Sequence, residues 1–184
     1  MGRKAIILAV MSSEPEPRIL ISRKEIATAV EKLAAEITRD YLGKYPLLVG
    51  ILKGSFMFMA DLVRHLDLPL EIDFVRLSSY GGTESSGKVS QVQGLLTPVK
   101  GRDVLLIEDI VDTGLTTGFI LDYLSKQTPG SLKLCALADK SARRRRSVVI
   151  DYLGFTVPNK FLVGYGLDLD EKYRNLPDIC VMED

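Results

Sequence analysis

An α/β fold, with a central and mostly parallel sheet flanked by helices, is predicted by three observations. Short, continuous apolar runs such as LLVGI (47–51) and the VLLI within DVLLIE (103–108) have the character of strands covered on both faces. Stretches with apolar residues at helical spacing separate them. The strand–helix–strand order then repeats at an interval that suits parallel crossover units.

The elements follow in order. SSEPEPR reads as a loose lead-in. SRKEIATAVEKLAAEITRDYLGK opens with a capping box, in which Ser22 caps the helix and Glu25 reaches back. Ile26, Val30, Leu33 and Ile37 recur on one face, and Gly43 is placed to end the helix. LLVGI is a buried strand running into the loop LKGS, and FMFMADLVRHL (56–66) is the next helix. LEIDFVRL (70–77) alternates as a strand with one polar face. Residues 78–90, SSYGGTESSGKVS, show no hydrophobic period, and a loop of that length in a compact domain usually serves as a lid or a binding loop. DVLLIE is a central strand, LTTGFILDYLSKQ its helix, and SLKLCALA (131–138) the following strand. From residue 140 the pattern loosens through KSARRRR, VVIDYLGF and KFLVGYGLD, which suits a small subdomain over the sheet's edge.

The composition narrows the function classes. A chain of 184 residues is expected to form one domain with a full core. Lys+Arg and Asp+Glu are equal at 24 each, so no global field favours nucleic acid or an anionic membrane. No apolar run approaches the roughly 20 residues that a membrane helix requires. Cys135 and Cys180 show no metal-ligand spacing and no CxxC, which fits a reducing compartment. RKAIILAVM near the start is followed by SSEPEP without a cleavage pattern, so no signal peptide is expected and the location is read as cytoplasmic.

The stretch LLIEDIVDTGLTTG (105–118) carries the chemistry. With a strand ending at 108, Glu108 to Thr117 are expected in the loop at its carboxyl end, where open α/β sheets bind ligands. Thr113, Gly114 and Thr116 stand at the start of a helix whose unpaired N–H groups favour an anion. The G-x-x-x-x-G-K-[ST] pattern is missing, which argues against a Walker-type cradle, and so is a dinucleotide fingerprint. Carboxylates only accept hydrogen bonds, which suits vicinal sugar hydroxyls, while the amides one turn on suit a phosphate. A ribose 5-phosphate satisfies both, and negative charge beside the sugar would stabilise an oxocarbenium-like centre during glycosyl transfer. The plain alternative is an acidic turn complementing a helix dipole.

At these residues the sequence resembles the type I phosphoribosyltransferases. VLLIEDIVDTGLTTG is similar to their phosphoribosyl-diphosphate signature. LKGS (52–55), RLSSYGG (76–82), LADKS (137–141) and VPNKFLVGYGLDLDEKYRNLP (157–177) resemble the hypoxanthine-guanine branch. The likeness runs from about residue 18 to the end. It implies a single domain over 1–184, with a hood formed by the N-terminal segment and roughly residues 140–184. It implies transfer of a phosphoribosyl group from phosphoribosyl diphosphate to N9 of hypoxanthine or guanine, with Mg²⁺ as cofactor. It also implies a homodimer or homotetramer.

Position by position, the resemblance implies that Glu108 and Asp109 hold the ribose hydroxyls, directly or through Mg²⁺, and that Asp112 is the general base near N7. The segment Asp112, Thr113, Gly114, Leu115 and Thr116 would bind the 5′-phosphate, with Leu115 supplying no charge. Lys53, Gly54 and Arg174 would bind pyrophosphate, with a cis peptide between Leu52 and Lys53. Lys140, Phe161, Leu162 and Asp168 would surround the purine: Lys140 on the 6-oxygen, Phe161 stacked on the ring, Leu162 at its other edge. Asp168 would also hold a second Mg²⁺ on the pyrophosphate side. Leu162 departs from the Val of many relatives. Ser79 and Tyr80 would belong to the lid.

Without the resemblance, Phe161 reads as a core aromatic, Lys140 as a surface lysine, and Asp168 equally as a turn residue. His65 reads as structural, and RRRR (143–146) as a solvated loop or a contact to a subunit or an anion. A rival function is an RNA-binding regulator that uses the arginine run, against which stand net neutrality and the lack of interleaved aromatics. A phosphoribosyltransferase for xanthine or a pyrimidine is a closer alternative.

Overall fold

The computed structural model of the chain describes residues 16–79 and 89–182. The strands are β1 (Arg18–Ile21), β2 (Leu47–Leu52), β3 (Glu71–Ser79), β4 (Val89–Gln93), β5 (Asp103–Val111), β6 (Ser131–Asp139), β7 (Tyr152–Thr156), β8 (Leu162–Val163) and β9 (Ile179–Val181). Three helices, α1 (Arg23–Asp40), α2 (Phe56–His65) and α3 (Leu115–Ser125), lie between them.

Six strands form the main sheet in the order β4-β3-β2-β5-β6-β7. β2 pairs parallel with β3 and β5, and β5, β6 and β7 continue in parallel. Only the edge strand β4 is antiparallel, hairpinned to β3. This is the predicted α/β class.

Alternation along the buried strands splits the core. Leu105 and Ile107 pack with Ile26, Val30, Leu33 and Ile37 of α1 and Phe58, Met59 and Leu62 of α2. Val104 and Leu106 pack on the other face with Ile120 and Leu124 of α3. Each run is wholly apolar because both of its faces are covered. At the start of α1 the capping box forms as the sequence predicts: Ser22 accepts from the Glu25 amide and Glu25 accepts from the Ser22 amide. The helix yields to a turn at Tyr41, with Gly43 left-handed at φ 75°.

Three elements differ from expectation. β5 runs to Val111 rather than ending at 108, because Ile110 and Val111 still pair with Ala138 and Asp139 of β6. Glu108 and Asp109 therefore sit on a strand, not in a loop, and the turn proper is Asp112–Gly114. The loop expected over 78–90 is entered later and left sooner, since β3 reaches Ser79 and β4 begins at Val89. The lead-in closes on β1, which pairs antiparallel with β9, and β9 pairs with β8. This small sheet joins Arg18–Ile21 to segments far along the chain.

Candidate active site

The strand order places a crevice before any side chain is considered. From β2 the chain winds outward to β3, then returns to β5 and winds the opposite way to β6 and β7. α2, which follows β2, covers one face, and α3, which follows β5, covers the other. The loops leaving β2 and β5 thus part in opposite directions, and ligands of open α/β sheets bind at such a switch point. The two loops converge there. A Cβ added at Gly54 would lie 1.9 Å from Oδ2 of Asp109. Only glycine lets the backbone pass this close to that carboxylate. The peptide between Leu52 and Lys53 is cis.

At the end of β5, Glu108 and Asp109 are 5% and 9% exposed. Burial pushes Glu108 well above the usual carboxylate range, with the charge of Asp109 adding to it. Burial pushes Asp109 up as well, against a hydrogen bond shared with Glu108. Thr117, buried in α3, donates to Oε2 of Glu108 at 3.2 Å. This second partner escaped the sequence reading, although it stands in the TTG that opens the helix.

Gly114 caps α3 in the left-handed region (φ 77°), and a Cβ there would meet the Arg146 carbonyl at 2.2 Å. Thr113 immediately precedes the cap, while Leu115 and Thr116 form the first helical positions. The Leu115 amide donates to Oγ1 of Thr113 at 3.4 Å, and the first-turn amides of a helix, which lack intrahelical acceptors, suit a ligand that accepts hydrogen bonds. Asp112 is the side chain with an open end. Its Oδ2 accepts from Arg143 at 3.2 Å and lies 3.8 Å from Nζ of Lys140. Its Oδ1 is buried and has no hydrogen-bond partner among the described residues. The Lys140 side chain is 7% exposed, so this lysine is not the surface group that its sequence surroundings suggest.

The opposite wall comes from the 164–174 segment. A Cβ on Gly166 would lie 2.1 Å from the Gly54 carbonyl, which puts this segment directly on the β2 loop. Gly164, Tyr165, Gly166, Asp170, Glu171 and Tyr173 all have positive φ, an unusual density for residues with side chains. That winding brings three charged groups together. Arg174 pairs with Asp168 at 2.8 Å and with Glu171 at 3.3 Å, and donates to the Gly166 carbonyl at 2.6 Å. Lys53 reaches across to Glu171 at 2.9 Å. One carboxylate therefore holds both Lys53 and Arg174. Glu171 was not singled out in the sequence, where it is one acid among several in LDLDE. Asp168 accepts from Arg174 through Oδ1 and from the Glu171 amide through Oδ2.

Phe161 is half exposed at 50%, not a core aromatic, and its neighbour Leu162 is buried in β8. Phe161 directly precedes β8, and its carbonyl accepts from the amide of Met182, the residue after β9. Ser79 ends β3, whereas Tyr80 and the rest of the expected lid lie outside the described residues.

For a divalent cation, Glu108 and Asp109 offer a buried, oxygen-only pair of the kind that hard cations take. Among the described residues no cluster of three or more His, Cys, Asp or Glu side chains supplies a full protein ligand set. A cation here would need ligand oxygens as well, which is the habit of Mg²⁺ with phosphates. The residues fit such an ion. Among the described residues no helix is long and apolar enough to cross a membrane.

Comparison with known proteins agrees with this geometry. A family model described as phosphoribosyl transferase domain matches residues 20–170. The hypoxanthine-guanine phosphoribosyltransferase of Streptococcus pneumoniae is 49% identical over 168 residues, covering 91% of this chain and 93% of that one. Its namesake from Bacillus subtilis is 47% identical over 167 residues, covering 90% and 93%. The crystal structure of a hypoxanthine phosphoribosyltransferase from Staphylococcus aureus superposes with a TM-score of 0.84 at 42% identity, covering 95% of each chain. With relatives this similar along nearly its whole length, the chain belongs to the phosphoribosyltransferase family, in its hypoxanthine-guanine branch.

Proposed function

We infer that the chain is a purine-salvage transferase. It moves the 5-phosphoribosyl group of phosphoribosyl diphosphate to N9 of hypoxanthine or guanine, giving the nucleotide and pyrophosphate. The observation that carries this reading is the pair of buried Lys140 and part-buried Asp112, 3.8 Å apart and immediately beside a helix start suited to an anion. In a 6-oxopurine, O6 and N7 are neighbours on one edge, close enough for one forked side chain to reach both. A lysine donor and a carboxylate acceptor at this separation match O6 and a protonated N7.

The residues then divide the work. The amides of Asp112 to Thr116, with the Thr113 and Thr116 hydroxyls, hold the 5′-phosphate. Glu108 and Asp109 accept from the ribose hydroxyls and place negative charge near C1 as the glycosidic bond to pyrophosphate breaks. N9 bonds to C1, the electron pair of the old C1–O bond leaves with pyrophosphate, and the N7 proton passes to Oδ1 of Asp112. Lys53, Gly54 and Arg174 receive the pyrophosphate. The grip of the Glu171 carboxylate on Lys53 and Arg174 supports this assignment, because it demonstrates that both cations converge on one anion. Phe161 stacks on the purine and the Leu162 backbone meets its far edge.

Glu108 and Asp109 would hold one Mg²⁺ and Asp168 a second on the pyrophosphate side, and the ions would supply positive charge that offsets the buried carboxylates and the diphosphate. The oxygens of Asp168 each keep a lone pair beyond their present partners for this purpose. The chain works as a single domain with a hood built from β1, β8 and β9, in a reducing cytoplasm that suits its two free, buried cysteines. It assembles as a homodimer or homotetramer. Exposed Ile72 and Leu96, joined through the hydrogen bonds of Asp73 to the 96 and 97 amides, offer apolar surface for that purpose.

The test is to incubate the protein with phosphoribosyl diphosphate, Mg²⁺ and a panel of bases, and to identify the nucleotides. IMP and GMP are expected; xanthine or pyrimidine nucleotides alone would overturn the substrate assignment. Gly114→Ala offers an independent check on the phosphate turn. A left-handed alanine costs about 1–3 kcal/mol, and its methyl group would push into the Arg146 carbonyl. The variant is expected to melt earlier and to show a raised KM for phosphoribosyl diphosphate. An unchanged KM would move the 5′-phosphate elsewhere.

A further inference from the structure

The arginine run 143–146 is not used by the reaction as described, yet its contacts concentrate on the phosphate turn. The Val111 carbonyl accepts from the Lys140 amide at 3.0 Å and from Nη2 of Arg144 at 3.3 Å. The Asp112 carbonyl accepts from Nε of Arg144 at 3.2 Å. The Thr113 carbonyl accepts from the amides of Arg145 and Arg146, at 2.9 and 3.0 Å. Three consecutive carbonyls of the turn are thus held from one side. In a trans peptide the C=O and the following N–H point in opposite directions. Fixing the carbonyls of 111, 112 and 113 therefore turns the N–H groups of Asp112, Thr113 and Gly114 away from the arginines. There they join the first-turn amides of α3, which lack intrahelical acceptors.

Arg144 is the only one of the four whose side chain reaches these carbonyls. Its guanidinium is part-buried, and the same Nη2 that donates to the Val111 carbonyl forms an ion pair with Asp139, the last residue of β6. It therefore ties the turn to the neighbouring strand. Arg143 pairs with Asp112, and Arg146 pairs with Asp122 on α3 at 2.7 Å. These cations are engaged within the chain, which removes the ground for an RNA-gripping patch.

We propose that Arg144 is a positioning residue that orients the amides of the phosphate-binding turn, so that its loss is felt by the phosphoribosyl donor rather than by the base. This rests on the reading that the turn binds the 5′-phosphate. Lysine is a single point donor on a flexible stem and cannot bridge two carbonyls and a carboxylate at once. In Arg144→Lys, KM for phosphoribosyl diphosphate and Kd for GMP should rise by about 10–100-fold, the weight of hydrogen bonds to a charged group. KM for hypoxanthine should stay within about twofold.

Arg144→Met should show the same split more strongly. If it fails to fold, the Lys variant, checked by its melting temperature, decides alone. Arg145→Gln serves as the control, because its exposed side chain is exchanged while its amide remains. An Arg144→Lys enzyme with unchanged donor KM, or with both KM values raised together, would overturn the proposal. A wild-type protein that binds no GMP and makes no nucleotide would instead overturn the functional reading.

Discussion

Replacing Asp112 by asparagine is expected to lower kcat by about 10²–10⁴-fold, the usual weight of a general base, while nucleotide affinity stays near that of the wild type. The geometry separates the two effects. The part of Asp112 proposed to serve the phosphate is its backbone, which the substitution leaves in place. The part proposed to take the proton is Oδ1, buried and without a hydrogen-bond partner among the described residues. Arg143 and Lys140 hold the carboxylate through Oδ2, so Oδ1 is presented in a fixed direction. An amide fits the same space but cannot take up the N7 proton. Single-turnover rates with hypoxanthine, set beside equilibrium binding of GMP, measure the two quantities apart. Wild-type turnover in the variant would remove Asp112 from the proton transfer.

Lys140 is expected to make the enzyme choose 6-oxopurines over adenine by a wide margin. Its ammonium has donors and no acceptor, so it pairs with a 6-oxygen and opposes a 6-amino group. Sites built around a buried polar partner reject the wrong analogue by roughly 10⁴–10⁵. With its side chain 7% exposed, little water is at hand to soften the mismatch. Lys140→Gln should narrow the gap, because glutamine can turn either a donor or an acceptor toward position 6. The measurement is kcat/KM for hypoxanthine and for adenine in both proteins. Equal use of the two bases by the wild type would end the assignment, and an unchanged ratio in the Gln variant would place discrimination in another residue.

These residues also mark how far the sequence could be read. The strand cores and α1 were legible because their periodicity and caps are local. Glu108, Asp109 and the turn after them were legible as a cluster of types. What was misjudged depends on neighbours distant in sequence. β5 outruns its apolar stretch because β6 goes on pairing with it through Val111, and no local pattern in EDIV announces that. Lys140 looks like a surface lysine beside SARRRR until the turn folds over it and Asp112 stands opposite. The arginine run reads as solvated charge, whereas two of its amides and one guanidinium are spent on the carbonyls of residues 111–113. β4, with the half-polar sequence VSQVQ, is an edge strand that only its partner β3 defines. Burial of a charge and pairing at a sheet edge are tertiary facts, and a linear chain records them weakly.

The small sheet that joins β1 to β9 and β8 has a consequence for the birth of the protein. During synthesis, β1 leaves the ribosome well before its pairing partner β9. At about 5–20 residues per second, β1 spends many seconds with an unpaired edge. The phosphate turn is in a different position, since β2, β5 and β6 all precede the arginine run that holds it. Its half of the site can be in place while the residues of β9 are still in the exit tunnel. Phe161 and Leu162 must wait, because the strand that pairs with β8 is β9. On the proposed assignment, a nascent chain therefore completes its phosphate turn before its purine wall, and the two become one site only when β9 arrives.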